Sequence, residues 1–178
     1  MALVFQFGSN VRYDRLNSPQ RLNGDARLVD VVRTREAFEL DFTVWSEGNG
    51  CAAADIVPGR GRSLWGVLYE VPDFLIATET AGGRRSFDEI ECEYVRRSIT
   101  VVSGDGHGVE TEALTYRVPE KRFDLRTGID YVTHILTGLR EREVPAEYID
   151  YVHGRILANN PELKDELKEE SGKMKAGS

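Results

Sequence analysis

The apolar residues of this chain change rhythm once. Up to about residue 118 they come in short runs closed by Gly, Pro, Ser or Asn; from about residue 127 they recur every third or fourth position. Short apolar runs bounded by turn residues read as strands, and recurrence near 3.6 residues reads as helix. A chain whose strands precede its main helices is not an alternating βαβ protein; it is α+β, with helices packed against a mostly antiparallel sheet. At 178 residues a single core can be stable without disulfides or a structural metal, and no repeat or linker divides it. The expected architecture is a small mixed or antiparallel β-barrel flanked by helices. It forms one domain over residues 1–160, followed by a polar C-terminal tail, 161–178.

Particular segments carry this reading. Residues 2–7 (Ala-Leu-Val-Phe-Gln-Phe) suit a buried strand, stopped by Gly8-Ser9-Asn10. Residues 37–44 alternate, placing Phe38, Leu40 and Phe42 on one face. Residues 52–57 are a short apolar run closed by the turn Pro58-Gly59-Arg60-Gly61. Residues 64–71 are apolar on both faces, as in a central or barrel strand. Gly66 within them marks either a bend or a close approach of backbone or ligand. Residues 94–102 and 109–118 read as a hairpin about the Gly-rich turn 103–108.

The helix signals are fewer. Pro19 can open a short helix within the polar stretch 17–24. Ser86-Phe-Asp-Glu89 fits a capping box. Thr127 with Asp130 can cap a helix reaching about Arg142, with Tyr131, Ile135 and Leu139 as its stripe. Pro145 opens another, with Ile149, Val152 and Ile156 on one face. In the Lys/Glu-rich tail Leu163 and Leu167 are the only large aliphatics, so the tail is expected to be a frayed helix and then disorder, with the residues beyond Leu167 dispensable.

Composition narrows the function. With 23 basic and 30 acidic residues the net charge is −7, the opposite of the basic footprint that nucleic acid or an anionic membrane surface requires. The expected partner is therefore a small molecule or a protein, with no nucleic acid and no membrane. Oligomeric state is not readable. Two cysteines, Cys51 and Cys92, are too few for a disulfide framework, and no CxxC pair suggests zinc. The N-terminus has no charged leader and no apolar run of signal length, so the expected location is cytoplasmic. His107, His134 and His153 include no i,i+4 pair, so no helical metal site is expected. Gly104-Asp-Gly-His-Gly108 lacks the lysine and the following helix of a phosphate loop and reads as a hairpin turn.

Two segments stand out. Phe5-Gln-Phe7-Gly8-Ser9-Asn10 is a strand running into a Gly-containing polar loop. It is either an ordinary turn or a nest of backbone N–H groups able to hold a carboxylate or oxyanion. Phe87-Asp-Glu-Ile-Glu91-Cys-Glu93-Tyr94 crowds carboxylates beside apolar groups. It is either a solvated acidic helix end or the seat of a carboxylate whose proton affinity is raised enough for general base work.

In order and spacing these segments resemble the gamma-glutamyl cyclotransferase-like (AIG2-like) superfamily. Phe7-Gly8-Ser9-Asn10 matches its Tyr-Gly-Ser-Asn loop. Pro58-Gly59 and Trp65-Gly66-Val67-Leu68-Tyr69 match its Pro-Gly turn and Gly-x-Leu-Tyr strand. Phe87-Asp88-Glu89-Ile90-Glu91-Cys92 matches the Leu-Asp-x-x-Glu-Gly segment that carries the catalytic glutamate. Ala113-Leu-Thr-Tyr116 fits the next strand, and Asp130-Tyr131 through Gly138 with Pro145-x-x-Tyr148 fits the C-terminal helices. The resemblance covers about residues 3–150. Two positions depart from the pattern: Phe7 replaces the usual Tyr and so lacks its hydroxyl, and Cys92 replaces Gly.

The resemblance implies an enzyme that releases 5-oxoproline from a gamma-glutamyl amine or peptide, needing no cofactor and no metal. It implies Glu91 as general acid/base, with Phe7, Gly8, Ser9, Asn10, Tyr94 and Tyr131 around the substrate. Glu79 is the alternative base, without the preceding Asp and following Tyr of the pattern, and Glu93 comes after it. The competing reading of the same fold is a non-catalytic small-molecule-binding or interaction module.

Overall fold

The computed structural model describes residues 1–104 and 108–176, with side chains through residue 170. The strands, in chain order, are β1 (Ala2–Gln6), β2 (Arg27–Thr34), β3 (Phe38–Ser46), β4 (Cys51–Pro58), β5 (Trp65–Val71), β6 (Val95–Ser103) and β7 (Glu110–Arg117). The helices are α1 (Tyr13–Leu16), α2 (Phe87–Ile90), α3 (Ile129–Glu141), α4 (Ala146–Asn159) and α5 (Lys164–Ala176). The protein is α+β, as the change of rhythm requires.

Five strands close a barrel in the order β1-β5-β2-β6-β7. Every pairing is antiparallel except the closing one, where β1 runs parallel to β7 with Val4 opposite Leu114. Closure leaves no unpaired edge to attract another chain. It also makes β1 an interior strand, and its Val4 and Phe5 are fully buried. The choice left open at Gly66 is answered here. A Cβ at that position would stand 2.3 Å from the Gln6 carbonyl oxygen and 2.6 Å from the Phe5 ring. Glycine is there because β1 passes so close to β5.

Strands β3 and β4 form a separate two-stranded hairpin. Its inner face buries Phe38, Leu40 and Phe42, and α4 clamps its outer edge, where Leu40 N–H donates to Tyr151 Oη (3.1 Å) and Arg155 Nε donates to Leu40 O (2.9 Å). Asp55, fully buried on β4, accepts from Thr43 Oγ1 and Val118 N at 3.0 Å each and pairs with Lys121. Those bonds satisfy a buried carboxylate that would otherwise be costly, and they fix the hairpin to the chain after β7.

Four local features differ from expectation. The one-turn helix near Pro19 lies earlier, at Tyr13–Leu16, because Asn17 brackets the 17–26 turn: its side chain donates to Ala26 O and accepts from Ala26 N. Residue 128, a glycine, is the N-cap of α3, and no side chain caps it. Thr127 is engaged elsewhere, through main-chain bonds to Asn159 and Asn160 at the end of α4. Strand β2 is not announced by an apolar run, since Arg27, Asp30 and Arg33 interrupt it. The C-terminal segment is helical as expected, but it is docked and not frayed at its start: Pro161–Leu163 forms a 3-10 turn leading into α5, and Leu163 and Leu167 are both buried in the core. Of the expected turn 103–108, residues 105–107, His107 among them, lie outside the described residues. Among the described residues no helix is long and apolar enough to cross a membrane.

Candidate active site

The end of β1 leads into a 3-10 turn, Ser9–Val11, whose first backbone bonds run from Val11 and Arg12 N–H back to the Gly8 and Ser9 carbonyls. The amides of Ser9 and Asn10 come before those bonds and have no partner within the turn. Helix α3 fixes the position of this loop. Gly138 lies so close that a Cβ there would sit 2.7 Å from both Arg12 N and Val11 Cγ2. Gly8 is nearly as confined, its would-be Cβ 3.3 Å from Ala54 Cβ and from Tyr131 Oη.

Glu91 arrives from the opposite side. Ser86 and Glu89 form the expected capping box, Glu89 N donating to Ser86 Oγ (3.1 Å) and Ser86 N to Glu89 Oε2 (2.8 Å). Phe87 is buried and stacks on Tyr116 of β7 with ring centres 5.2 Å apart, while Tyr116 Oη donates to Asp88 Oδ1 (2.7 Å). The short helix α2 is thus pinned to the barrel wall. Glu91 is its C-cap, the residue just past Ile90, and the bond from Tyr94 N to Glu91 O (2.9 Å) turns the chain toward β6.

Loop and carboxylate meet directly: Asn10 Nδ2 donates to Glu91 Oε1 at 2.7 Å across 81 positions of sequence. Together they line a cavity of about 320 Å³. All seven residues implied by the resemblance (Phe7, Gly8, Ser9, Asn10, Glu91, Tyr94 and Tyr131) line this one cavity. Tyr131 Oη accepts from Ala54 N (2.9 Å) and Tyr94 Oη donates to Ala54 O (2.7 Å), so both phenols are tethered to β4 and form a wall. Burial raises both phenol pKa values, that of Tyr131 to about 12, and so keeps them neutral. Glu93 also lines the cavity, whereas Glu79 is exposed on a 3-10 turn away from it.

Electrostatically the cavity is contested. Burial pushes the pKa of Glu91 from an ordinary 4.5 to about 7, against the opposing pull of the Arg21 charge and the Asn10 hydrogen bond. A carboxyl group poised there can both take and return a proton near neutrality.

A solved structure of a gamma-glutamyl cyclotransferase superposes on this chain with a TM-score of 0.70, at 22% identity, over 85% of this chain and 86% of the other. This chain has the gamma-glutamyl cyclotransferase-like fold. An uncharacterized human protein, loc79017, shares that fold at a TM-score of 0.68 and 23% identity, over 85% of this chain and 86% of its own. YkqA from Bacillus subtilis shares it at 0.67 and 20%, over 87% of this chain and 54% of YkqA. No protein-family model and no curated protein matches the sequence.

On this cyclotransferase-like scaffold the cavity also holds residues that sequence reasoning missed. Arg15 Nε donates to Ser9 Oγ (3.1 Å) and its Nη2 to Asn49 Oδ1 (2.6 Å), joining the β1 loop to the tip of the β3–β4 hairpin. Arg21 Nη1 donates to Asn10 Oδ1 (3.1 Å). Burial lowers the pKa of both arginines. Ser46, Glu47, Gly48 and Asn49 bring the hairpin tip to the cavity mouth. No periodicity or motif marks these positions; they face the cavity only once the hairpin and the 17–26 turn have folded. His134 lies outside the cavity lining, where its Nδ1 meets Arg12 Nη1 at 3.2 Å, and burial lowers its pKa to about 4.

Proposed function

We propose that the protein is a gamma-glutamyl cyclotransferase-type enzyme, releasing 5-oxoproline from a gamma-glutamyl amine or peptide. The observation that carries this reading is the Glu91 carboxyl group, sequestered in a cavity, hydrogen-bonded by Asn10 and poised to titrate near pH 7.

The chemistry is an intramolecular aminolysis. The substrate's α-amine enters mostly as an ammonium, with a reference pKa of about 8. Glu91 as carboxylate takes one of its protons, and the freed amine attacks the γ-carbonyl carbon. The new C–N bond closes a five-membered ring, and the carbonyl oxygen becomes an oxyanion. Glu91 passes its proton to the departing nitrogen, removes a second proton from the ring nitrogen as the old C–N bond breaks, and delivers it likewise. Two protons leave the attacking nitrogen, two arrive on the leaving amine, and the carboxylate is regenerated. The nucleophile is tethered, so the protein's main task is to hold the folded-back conformer. The amides of Ser9 and Asn10, unpaired within the turn, suit the α-carboxylate or the developing oxyanion, with the tethered Tyr94 and Tyr131 shaping the wall.

The test is a panel of gamma-glutamyl amino acids, peptides and amines assayed for 5-oxoproline across pH. The expected result is product from at least one donor class, with kcat/KM falling on the acid side through a midpoint near 7, as Glu91 becomes protonated. Binding of 5-oxoproline without turnover of any donor would instead favour the non-catalytic module.

A further inference from the structure

Glu91 does not act on its own in this cavity, because the group that orients it is itself oriented. Asn10 can present either its NH2 or its oxygen to the carboxylate, and the two choices have opposite consequences. An NH2 donor favours the charged form; an oxygen acceptor requires a proton on the carboxyl group. The selection is made on the far side of the amide, where Arg21 Nη1 lies 3.1 Å from Asn10 Oδ1. A guanidinium has donors and no acceptor, so the Asn10 atom that faces it is the oxygen, and the NH2 is left for Glu91 at 2.7 Å.

We propose that Arg21 is a positioning residue for the candidate base: it locks the Asn10 amide with NH2 toward Glu91 and places a positive charge behind it that favours the carboxylate form. This rests on the reading of Glu91 as the base.

The surroundings of Glu91 leave the Asn10 contact, and the larger share of the positive charge, to Arg21. From the same loop region, Arg15 favours the Glu91 carboxylate in the same sense as Arg21 but more weakly, and its side chain bonds Ser9 and Asn49 and not Asn10. From the segment around α2, Glu93 acts in the opposite sense, raising the proton affinity of Glu91, while Arg85 is exposed at the rim. Glu47 comes from the hairpin tip. Tyr94, Tyr116 of β7 and Tyr131 of α3 stay neutral, since burial raises each phenol pKa. Of the charges opposing the burial of Glu91, Arg21 is the strongest. Among the described residues Arg21 forms no ion pair, so its charge is not spent on another carboxylate. Its backbone is held independently of the side chain: Arg21 N donates to Ser18 O (2.9 Å), and the adjacent Leu22 is buried.

The experiment compares wild type with Arg21→Gln and Arg21→Lys, following the Glu91 side-chain carboxyl by 13C NMR titration in the substrate-free protein and kcat/KM against pH in parallel. Loss of a nearby opposite charge is expected to move the Glu91 midpoint, and with it the acid limb, upward by about one pH unit in Arg21→Gln. Activity at pH 6 then falls about tenfold and recovers at high pH, a pattern that simple loss of structure does not produce. Arg21→Lys restores the charge and a donor, and its midpoint is expected to return most of the way to wild type. If Arg21→Gln does not fold by circular dichroism, Arg21→Met, which keeps the apolar stem, takes its place. A folded neutral variant whose Glu91 titrates at the wild-type midpoint overturns the proposal. Wild-type failure to form 5-oxoproline from any donor would end the proposed function and leave the titration result standing; an unmoved midpoint would end the role of Arg21 and leave turnover standing.

Discussion

Burial and positive charge act on Glu91 in opposite directions, and burial wins: the folded protein holds its proton to about pH 7 instead of 4.5. A carboxyl group whose folded pKa is raised contributes its full stability below the unfolded value and loses it as pH rises through the folded one. Glu91→Gln removes that titration and is therefore expected to melt a few degrees higher than wild type at pH 8, with the gap closing toward pH 4.5. Scanning calorimetry at both pH values checks this, and an equal or lower Tm for the variant at pH 8 would contradict it. Gly8, Ser9, Asn10 and Glu91 were visible in the sequence because the order and spacing of their two segments resemble the cyclotransferase-like pattern; read singly, the segments fit an ordinary turn and a solvated helix end equally well. Arg15 and Arg21 were not visible, since an arginine in a polar turn reads as solvated until the turn's path is known. Asn49 was hidden for the same reason, as it reaches Arg15 only from the tip of a folded hairpin.

At the scale of elements, legibility followed burial on both faces. Strand β5 showed as an apolar run broken only by Glu70 because it lies between β1 and β2 inside a closed barrel. β2 did not show, because most of its residues are half-buried or exposed and its charges remain in contact with water. The capping box at Ser86 was readable because it is a local, reciprocal hydrogen-bond pattern. The cap of α3 was misread because the N-cap position falls on Gly128, one residue past Thr127, whose backbone is held by Asn159 and Asn160 from the end of α4. Gly66 links an element to its packing, and its replacement is a sharp test. In Gly66→Ala the new methyl group would stand 2.3 Å from the Gln6 carbonyl oxygen, forcing β1 and β5 apart. Overpacking of this kind is expected to cost about 3 kcal/mol and to lower Tm by roughly 6–12 °C. A thermal melt within a degree of wild type would mean that the two strands are not held in this contact.

At the scale of the molecule, a single barrel brings residue 10 to residue 91, so the cavity depends on the closing β1–β7 pairing as much as on its own side chains. The C-terminal segment belongs to the same balance. Its composition reads as a polar tail, yet Leu163 and Leu167 are buried in the core, and two large aliphatics at the right spacing suffice to dock a helix. Each buried leucine contributes about 1.5–3 kcal/mol. A chain ending at residue 160 is therefore expected to melt about 10 °C or more below the full-length protein, whereas one ending at residue 170 keeps its Tm. Equal melting of the 160-residue and full-length chains would show that the leucines add nothing. The central claim, that this cavity closes a lactam with Glu91 moving the protons, is tested most directly by 5-oxoproline release from a donor that wild type turns over, measured for wild type and Glu91→Gln on matched preparations. The account predicts that turnover falls by roughly two to four orders of magnitude while 5-oxoproline still binds, because the loop amides are intact. Unchanged turnover in Glu91→Gln would contradict it and move the search for the base to Glu93.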